Sequence, residues 1–275
     1  MDGGEFEKRT GGADMRRSWV AVFAAGWLVA CGGNSLPAGD SQDPTPGGGL
    51  PGEPVQPGGP DDQGNGEEPT GSQSLWPLTA GSTWTYDIQD PVEGNFQKQV
   101  TVVGPGEVPD QPGINAVQVH SRQDRVRNGT LYEEYSWQVE LTNGLVVRLR
   151  EDDYRNGQQV RSTTWSPATV KSVASVPDAL PWTYKSDVLE HITLGDGSKD
   201  QKDPTYIWKV LESGVTVTTR AGTFTNAVKI QRDKVNNNGE VKPDKTRFYW
   251  LVPGIGKVRE EGERTEDLAA YDIKP

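Results

Sequence analysis

Five dipeptides, Asn128-Gly129, Asn143-Gly144, Asn156-Gly157, Asp196-Gly197 and Asn238-Gly239, limit what this chain can fold into more than any other feature. Asn-Gly and Asp-Gly are favoured centres of the type I′ hairpin turn, in which both central residues need positive φ. Each pair is therefore expected to reverse the chain within two residues and set two antiparallel strands side by side. Parallel strands would need crossovers of about a dozen residues, so five such turns favour a meander over βαβ units.

Between the turns the chain alternates as strands do. Thr83-Trp84-Thr85-Tyr86-Asp87-Ile88 places Trp84, Tyr86 and Ile88 on one face, because successive side chains of an extended chain point to opposite sides. Phe96 to Val103 continues the pattern, and Val117 and Val119 are expected inward, with His120 on the other face. Leu131 to Leu141 reads as one long strand with Tyr135, Trp137, Val139 and Leu141 on a shared face; Leu145, Val147 and Leu149 then oppose Arg148 and Arg150. Further strands are expected at Val160–Trp165, Trp182–Leu194, Tyr206–Leu211, Val215–Thr219, Phe224–Gln231, Thr246–Leu251 and Gly256–Glu260. Only Ala168–Ala179 and Thr265–Ala270 could host a helical turn. The expected fold class is all-β, an antiparallel meander forming a curved open sheet or half-barrel. Trp84-Thr85-Tyr86 is echoed by Trp182-Thr183-Tyr184, which fits either two similar half-sheets or coincidence in a chain with nine Trp.

A different signal stands upstream. A hydrophobic run ends in Leu28-Val29-Ala30-Cys31, and Cys31 is the only cysteine in the chain. Met15-Arg16-Arg17 supplies positive charge, and Ser18 to Ala30 is mostly apolar but shorter than the ~20 residues a spanning helix needs. The run resembles the signal and lipobox of bacterial lipoproteins, in which a peptidase cuts before the cysteine. The resemblance implies a diacylglyceryl thioether on Cys31 and an acyl group on its freed amine, and two or more chains anchor a protein stably where one does not. An ordinary cleaved signal fits less well, since Leu28 stands where a small residue would be expected. Gly32 rather than aspartate after the cysteine points, within that resemblance, to the outer membrane. The polar segment Met1 to Asp14 adds nothing to a signal, and translation is expected to begin at Met15.

From Gly32 to Ser74 there are seven acidic residues, no Lys or Arg, and almost no apolar side chains. Such a stretch cannot offset its ordering entropy by burial and is expected to be a disordered tether, spanning ~35–40 Å if it behaves as a flexible coil. The expected organisation is thus a leader and signal over 1–30, the lipidated cysteine and Gly/Pro-rich linker over 31–74, and a β-rich domain over 75–275. Of the net charge of −11, that last part holds about −4, which argues against nucleic acid or an anionic lipid surface as partner, since both demand basic surface. A domain of that length buries roughly 70% of its extended-chain surface and needs no disulfides.

Three segments of the β-rich part belong together. Trp76-Pro77-Leu78-Thr79-Ala80-Gly81-Ser82-Thr83-Trp84-Thr85-Tyr86 opens it, Arg220-Ala221-Gly222-Thr223-Phe224-Thr225-Asn226-Ala227-Val228-Lys229-Ile230 lies past its middle, and Tyr249-Trp250-Leu251-Val252-Pro253-Gly254-Ile255-Gly256-Lys257-Val258 nears its end. In that order they resemble a group of uncharacterised bacterial lipoproteins and exported β-rich proteins. More distantly they are similar to the half-barrels of lipoprotein carriers and outer-membrane receptors. The resemblance implies an architecture and assigns no site. Read unaided, Pro253-Gly254-Ile255-Gly256 is a tight turn between strands, and Ala221-Gly222 a turn before a strand whose Phe224, Val228 and Ile230 face the core.

Side chains suited to chemistry are few. His120 and His191 are isolated and expected at solvated or rim positions, and two histidines without thiols do not build a usual zinc site unaided. No nucleophile elbow, H-E-x-x-H or phosphate-cradling loop occurs. Asp196 to Asp203 lacks the calcium-loop register, carries Lys199 and Lys202, and is expected to be a solvated loop. Glu151-Asp152-Asp153 reads as a charged hairpin end that discourages edge pairing. Glu133 and Glu134 straddle two faces of one strand, so one of them could point into a cleft. Seven Trp from Trp76 onward, among them Trp137, Trp165, Trp208 and Trp250, are expected in the core or on sheet faces, where a curved sheet could also grip a ligand. The functional expectation is a non-enzymatic envelope lipoprotein with no cofactor or metal. Its membrane partner is reached through Cys31, and its β-domain binds an envelope protein, lipid or glycan; a carbohydrate-binding or adhesive surface module is the alternative.

Overall fold

The computed structural model describes residues 73–125, 129–236 and 238–275, which fall in one compact unit. The signal segment, Cys31, the linker to residue 72 and Asn128 lie outside the described residues. Fourteen strands follow one another: β1 (Thr83–Asp90), β2 (Gly94–Glu107), β3 (Asn115–Arg125), β4 (Thr130–Glu140), β5 (Leu145–Arg155), β6 (Gln158–Val173), β7 (Trp182–Asp187), β8 (Leu189–Leu194), β9 (Lys199–Lys202), β10 (Thr205–Thr219), β11 (Gly222–Val235), β12 (Arg247–Val252), β13 (Gly256–Glu261) and β14 (Thr265–Asp272). They form one sheet in the order β7-β10-β11-β12-β13-β14-β1-β2-β3-β4-β5-β6-β8-β9. The fold is all-β and the sheet is open, with β7 and β9 at its two ends.

One residue explains the curvature. β7 and β8 are separated by Val188 alone, yet β7 pairs with β10 and β8 with β6, near opposite ends of the sheet. Consecutive Cα atoms are 3.8 Å apart, so the two ends must approach each other there. Val188 is buried, and its N–H donates to the Pro204 carbonyl at 3.2 Å. The stretch Trp182–Leu194, expected as one strand, is therefore two strands that switch partners. Because the sheet curls round, Leu145, Val147, Val170 and Val173 of β5 and β6 share a core cluster with Trp208, Ile230 and Leu251 of β10 to β12.

The turn dipeptides join antiparallel neighbours as expected, but most do so by a different geometry. Among the dipeptides whose two residues are both described, only Asn156-Gly157 has positive φ at both, 50° and 78°. At Asn143-Gly144, Asp196-Gly197 and Asn238-Gly239 the glycine alone is left-handed. There the loop has three residues, with Gly144, Gly197 and Gly239 N–H groups donating to the carbonyls of Leu141, Leu194 and Asn236. That is a type I turn followed by a glycine bulge, which needs positive φ at one residue instead of two.

The two stretches held open for helix are strand: Ala168 to Val173 continues β6, and Thr265 to Ala270 is in β14. The one helical element among the described residues is a single 3-10 turn, Pro243–Lys245. Tyr206–Leu211 and Val215–Thr219 are one strand, β10, whose register slips between Val210 and Val217. Bulges bend a strand, and this bend carries the hairpin tip to β13 and β14, where Ala221 N–H donates to the Leu268 carbonyl and Arg259 Nη2 to the Thr218 carbonyl.

Two of the motif segments meet in space. Trp84 Nε1 donates to the Ile255 carbonyl at 2.7 Å and Tyr86 OH to the Lys257 carbonyl at 2.9 Å. The loop they grip is a type II turn, with Pro253 second, Gly254 third at φ 76° and Ile255 N–H returning to Val252. Gly256 follows at φ 91°, and a Cβ there would stand 3.2 Å from Pro77 Cδ. Trp182-Thr183-Tyr184 has different surroundings: it lies in β7 at the sheet's end, with the Trp182 and Tyr184 rings stacked at 5.9 Å and Tyr184 exposed.

Candidate functional site

The curled sheet encloses a cavity of about 510 Å³. An ordinary β-sheet core would fill this space with aliphatic side chains, and part of it is so filled, by Leu78, Val100, Val102 and Val119. Elsewhere the inward phase of the strands turns polar. Along β2 the inward residues run Phe96, Lys98, Val100 and Val102; along β11, Ile230 gives way to Arg232 and Lys234. On β4 it is Glu134, Ser136 and Gln138 that line the cavity, while Trp137 packs on the opposite side against Val108 and Ala116.

A bulge in β5 produces the same inversion. Gln138 pairs with Arg148 and Trp137 with Arg150, which leaves one extra residue between them on β5. The expected alternation is therefore corrected: Leu145 and Val147 join the core, Leu149 packs with Trp137, and Arg148 turns into the cavity. Past the bulge, Glu151 also faces the cavity.

Two charge networks cross the wall. In the first, Glu266 accepts from Lys98, from Lys257 Nζ at 2.6 Å and from Arg264 Nη2 at 2.7 Å, while Glu260 accepts from Lys257 and from Arg247 Nη1 at 2.9 Å. Burial is the largest single influence and works against the charge on both acids, but the neighbouring cations, Lys257 foremost, together outweigh it, holding Glu260 at about 2 and Glu266 well below the usual carboxylate range. Burial also pulls Lys98 down, to about 8, against the attraction of Glu266. Tyr86 lies under this network, its ring centroid 4.9 Å from Lys257 Nζ.

In the second network Arg148 reaches Glu134 at 3.4 Å and also bonds Glu151, and Arg161 reaches Glu151 at 3.3 Å and Asp153 at 2.6 Å. Glu190 accepts from Trp165 Nε1 and from Tyr206 OH, both at 3.2 Å. Glu134, Glu151 and Asp153 bring one carboxylate oxygen each within 4.8 Å of one another. Arg148 and Arg161 already supply the positive charge such a trio requires. Burial raises Glu134, but Arg148, Lys171 and Lys98 together outweigh it and hold the carboxyl below its usual value; at Asp153 burial prevails over Arg161 and the carboxyl is pushed up.

The sequence-derived candidates fall as follows. Glu134 is the member of its pair that faces the cavity, whereas Glu133 meets His120 on the other face at 3.1 Å. His120 is half-buried and stacks on Tyr135 at 4.4 Å; His191 is exposed beside a second, open cavity of about 750 Å³. Glu151-Asp152-Asp153 is no hairpin end. It lies inside β5, paired on both sides, with Glu151 and Asp152 buried against arginines. Asp196 to Asp203 is exposed as expected, but Lys199–Lys202 is the edge strand β9 and not loop. Trp76, Trp84, Trp165 and Trp208 line the cavity. Lys98, Lys257, Glu260, Glu266, Lys171 and Arg232 escaped sequence reasoning, although charged residues such as Lys98 and Glu266 stand in phase with the apolar ones of their strands.

No protein-family model and no curated protein matches the chain. Among solved structures it is similar to a candidate lipoprotein from Parabacteroides distasonis ATCC 8503, at 16% identity over 74% of this chain and 100% of that one, with a TM-score of 0.38. It is also similar to a candidate exported protein with a YmcC-like fold from Bacteroides fragilis NCTC 9343, at 11% identity over 73% and 99%, with a TM-score of 0.39.

Proposed function

We propose that this chain is a cell-envelope lipoprotein, held to the outer membrane by lipid on Cys31, whose β-domain is a non-enzymatic module that binds an envelope component in its central cavity. The binding part is carried by one observation: buried ion pairs and half-buried aromatics line a space that a purely structural sheet would fill with aliphatic side chains. Burying ion pairs is often no more stabilising than apolar packing, so their presence favours a site over a scaffold. The anchoring part rests on the Leu28-Val29-Ala30-Cys31 pattern.

The non-enzymatic part rests on how the acids are held. Glu134, Glu151 and Asp153 are close enough to be compared with the paired carboxylates of glycoside hydrolysis. That chemistry needs a free acid and a free base, and here each carboxylate is bonded to a guanidinium. The carbohydrate-binding alternative is favoured by Trp76, Trp165 and Tyr206, whose rings stand in the cavity wall where a sugar could stack.

Tryptophan fluorescence tests the reading, because four tryptophans, Trp76, Trp84, Trp165 and Trp208, line the cavity. A blue shift on adding a fatty acid or lipopeptide supports an apolar-tailed ligand, and quenching by an oligosaccharide supports the alternative. Recovery of a cleaved ligand would overturn the non-enzymatic reading. Mass spectrometry of the mature protein tests the anchor and should find Cys31 N-terminal and acylated.

A further inference from the structure

Every carboxylate on the cavity wall is engaged, but three of its cations are not. Lys171, Arg232 and Lys234 make no ion pair and no side-chain hydrogen bond among the described residues; Glu134 attracts Lys171 and Glu190 attracts Lys234 without contact. What stands near them is aromatic: Lys171 Nζ is 5.7 Å from the Trp76 ring, Lys234 Nζ 5.6 Å from Tyr206, and the Arg232 guanidinium 5.4 Å from Tyr206 and 5.8 Å from Trp208. Three buried donors in the same wall are also unpartnered, Arg148 Nε, Arg232 Nε and Trp208 Nε1. Trp208 is only 3% exposed.

Buried polar atoms in folded proteins are paired with few exceptions. Ammonium, guanidinium and indole N–H groups only donate, so the group that completes this wall is an acceptor, and the surplus charge makes it an anion. The cations also act on one another. Burial is the main force lowering Lys171 and Arg148, and next to it comes the charge of Arg148 on Lys171; on Arg148, Arg232 opposes the pull of Glu134. An anion would relieve that repulsion at a single point.

We infer that Lys171, Arg232 and Trp208, with Arg148 beside them, form an oxyanion subsite that receives a phosphate or carboxylate group of the ligand. This deepens the binding reading above and rests on it. The cavity, at about 510 Å³, has room for a larger molecule, so the anion is one end of an amphiphile or of an acidic or phosphorylated sugar.

The test compares 8-anilinonaphthalene-1-sulfonate with its neutral parent, N-phenyl-1-naphthylamine. The sulfonate should bind about tenfold or more tightly than the neutral probe, and added salt should weaken only the sulfonate. Lys171→Gln and Arg232→Gln should each reduce sulfonate affinity by about tenfold and leave the neutral probe unchanged; Lys185→Gln, on the exposed side chain of β7, should change neither. Displacement of the sulfonate by dodecyl phosphate points to a lipid headgroup and displacement by glucose 6-phosphate to a sugar, either one supporting the subsite; displacement by neither counts against it. Equal binding of both probes to the unaltered protein overturns the subsite and leaves the cavity reading standing. Binding of neither overturns both.

Discussion

Three cations, Lys98, Lys257 and Arg264, converge on the carboxylate of Glu266, which is 2% exposed. Removing one member of such a group leaves the others buried without a counter-charge, a loss of about 3–5 kcal/mol. Glu266→Gln should therefore lower the urea midpoint far more than Glu263→Gln, whose side chain is largely exposed. The acids Glu260 and Glu266 have folded values below their unfolded ones. Their contribution is thus complete above the unfolded carboxylate value and fades as pH falls toward about 2, which acid titration of the fold should show. Lys98 and Lys171 behave in the opposite sense. Each is lowered to about 8, mainly by burial, so above about pH 8 the unfolded chain holds more protons and stability rises with pH. The raised value of Tyr86 works against this only above its unfolded value of 10.0. The urea midpoint should be higher near pH 9.5 than near pH 7, and Lys171→Met should raise it at neutral pH and flatten the rise. A midpoint that falls between those pH values would contradict the placement of both lysines.

At the scale of elements, the strands were legible and their phase was not always. Trp84, Tyr86 and Ile88 are buried as their alternation requires, because β1 is regular through those residues. Leu149 and Arg148 were misassigned because a bulge spends one residue without changing the composition. The dipeptide turns marked each reversal but not its loop length, since Asn-Gly serves a two-residue turn and a type I turn with a glycine bulge equally well. The grip of β1 on the turn before β13 gives a direct check. Trp84→Ala should cost about 3–5 kcal/mol, and Trp84→Phe less, with about 1 kcal/mol of its loss assignable to the bond to Ile255. Gly256→Ala places a side chain on left-handed backbone and against Pro77, and should cost about 1–3 kcal/mol. Chemical denaturation of the three variants reads these losses; no change at Gly256→Ala would show the turn to be differently built.

For the whole molecule, the sequence marked an all-β meander but not how its ends meet. Nothing in Trp182–Leu194 announces that pairing changes across Val188, because both partners are distant in sequence. The candidate site was hidden for the same reason: cations contributed by β2, β6, β11 and β13 become one wall only after the sheet curls. The charge of about −4 on the β-rich part pointed away from nucleic acid and an anionic lipid surface, while the cavity wall holds more cations than acids. The anchor on Cys31 and the cavity are separate claims, and the cavity is the central one. Two-dimensional NMR of the tryptophan indole N–H groups tests it most directly, with 8-anilinonaphthalene-1-sulfonate as the added ligand and Trp→Phe variants for assignment. The resonances of the lining tryptophans beside the cations, Trp76, Trp165 and Trp208, should move together while those of Trp137, Trp182 and Trp250 stay. Shifts confined to Trp182 or Trp250, with Trp76, Trp165 and Trp208 still, would place binding elsewhere and contradict the account.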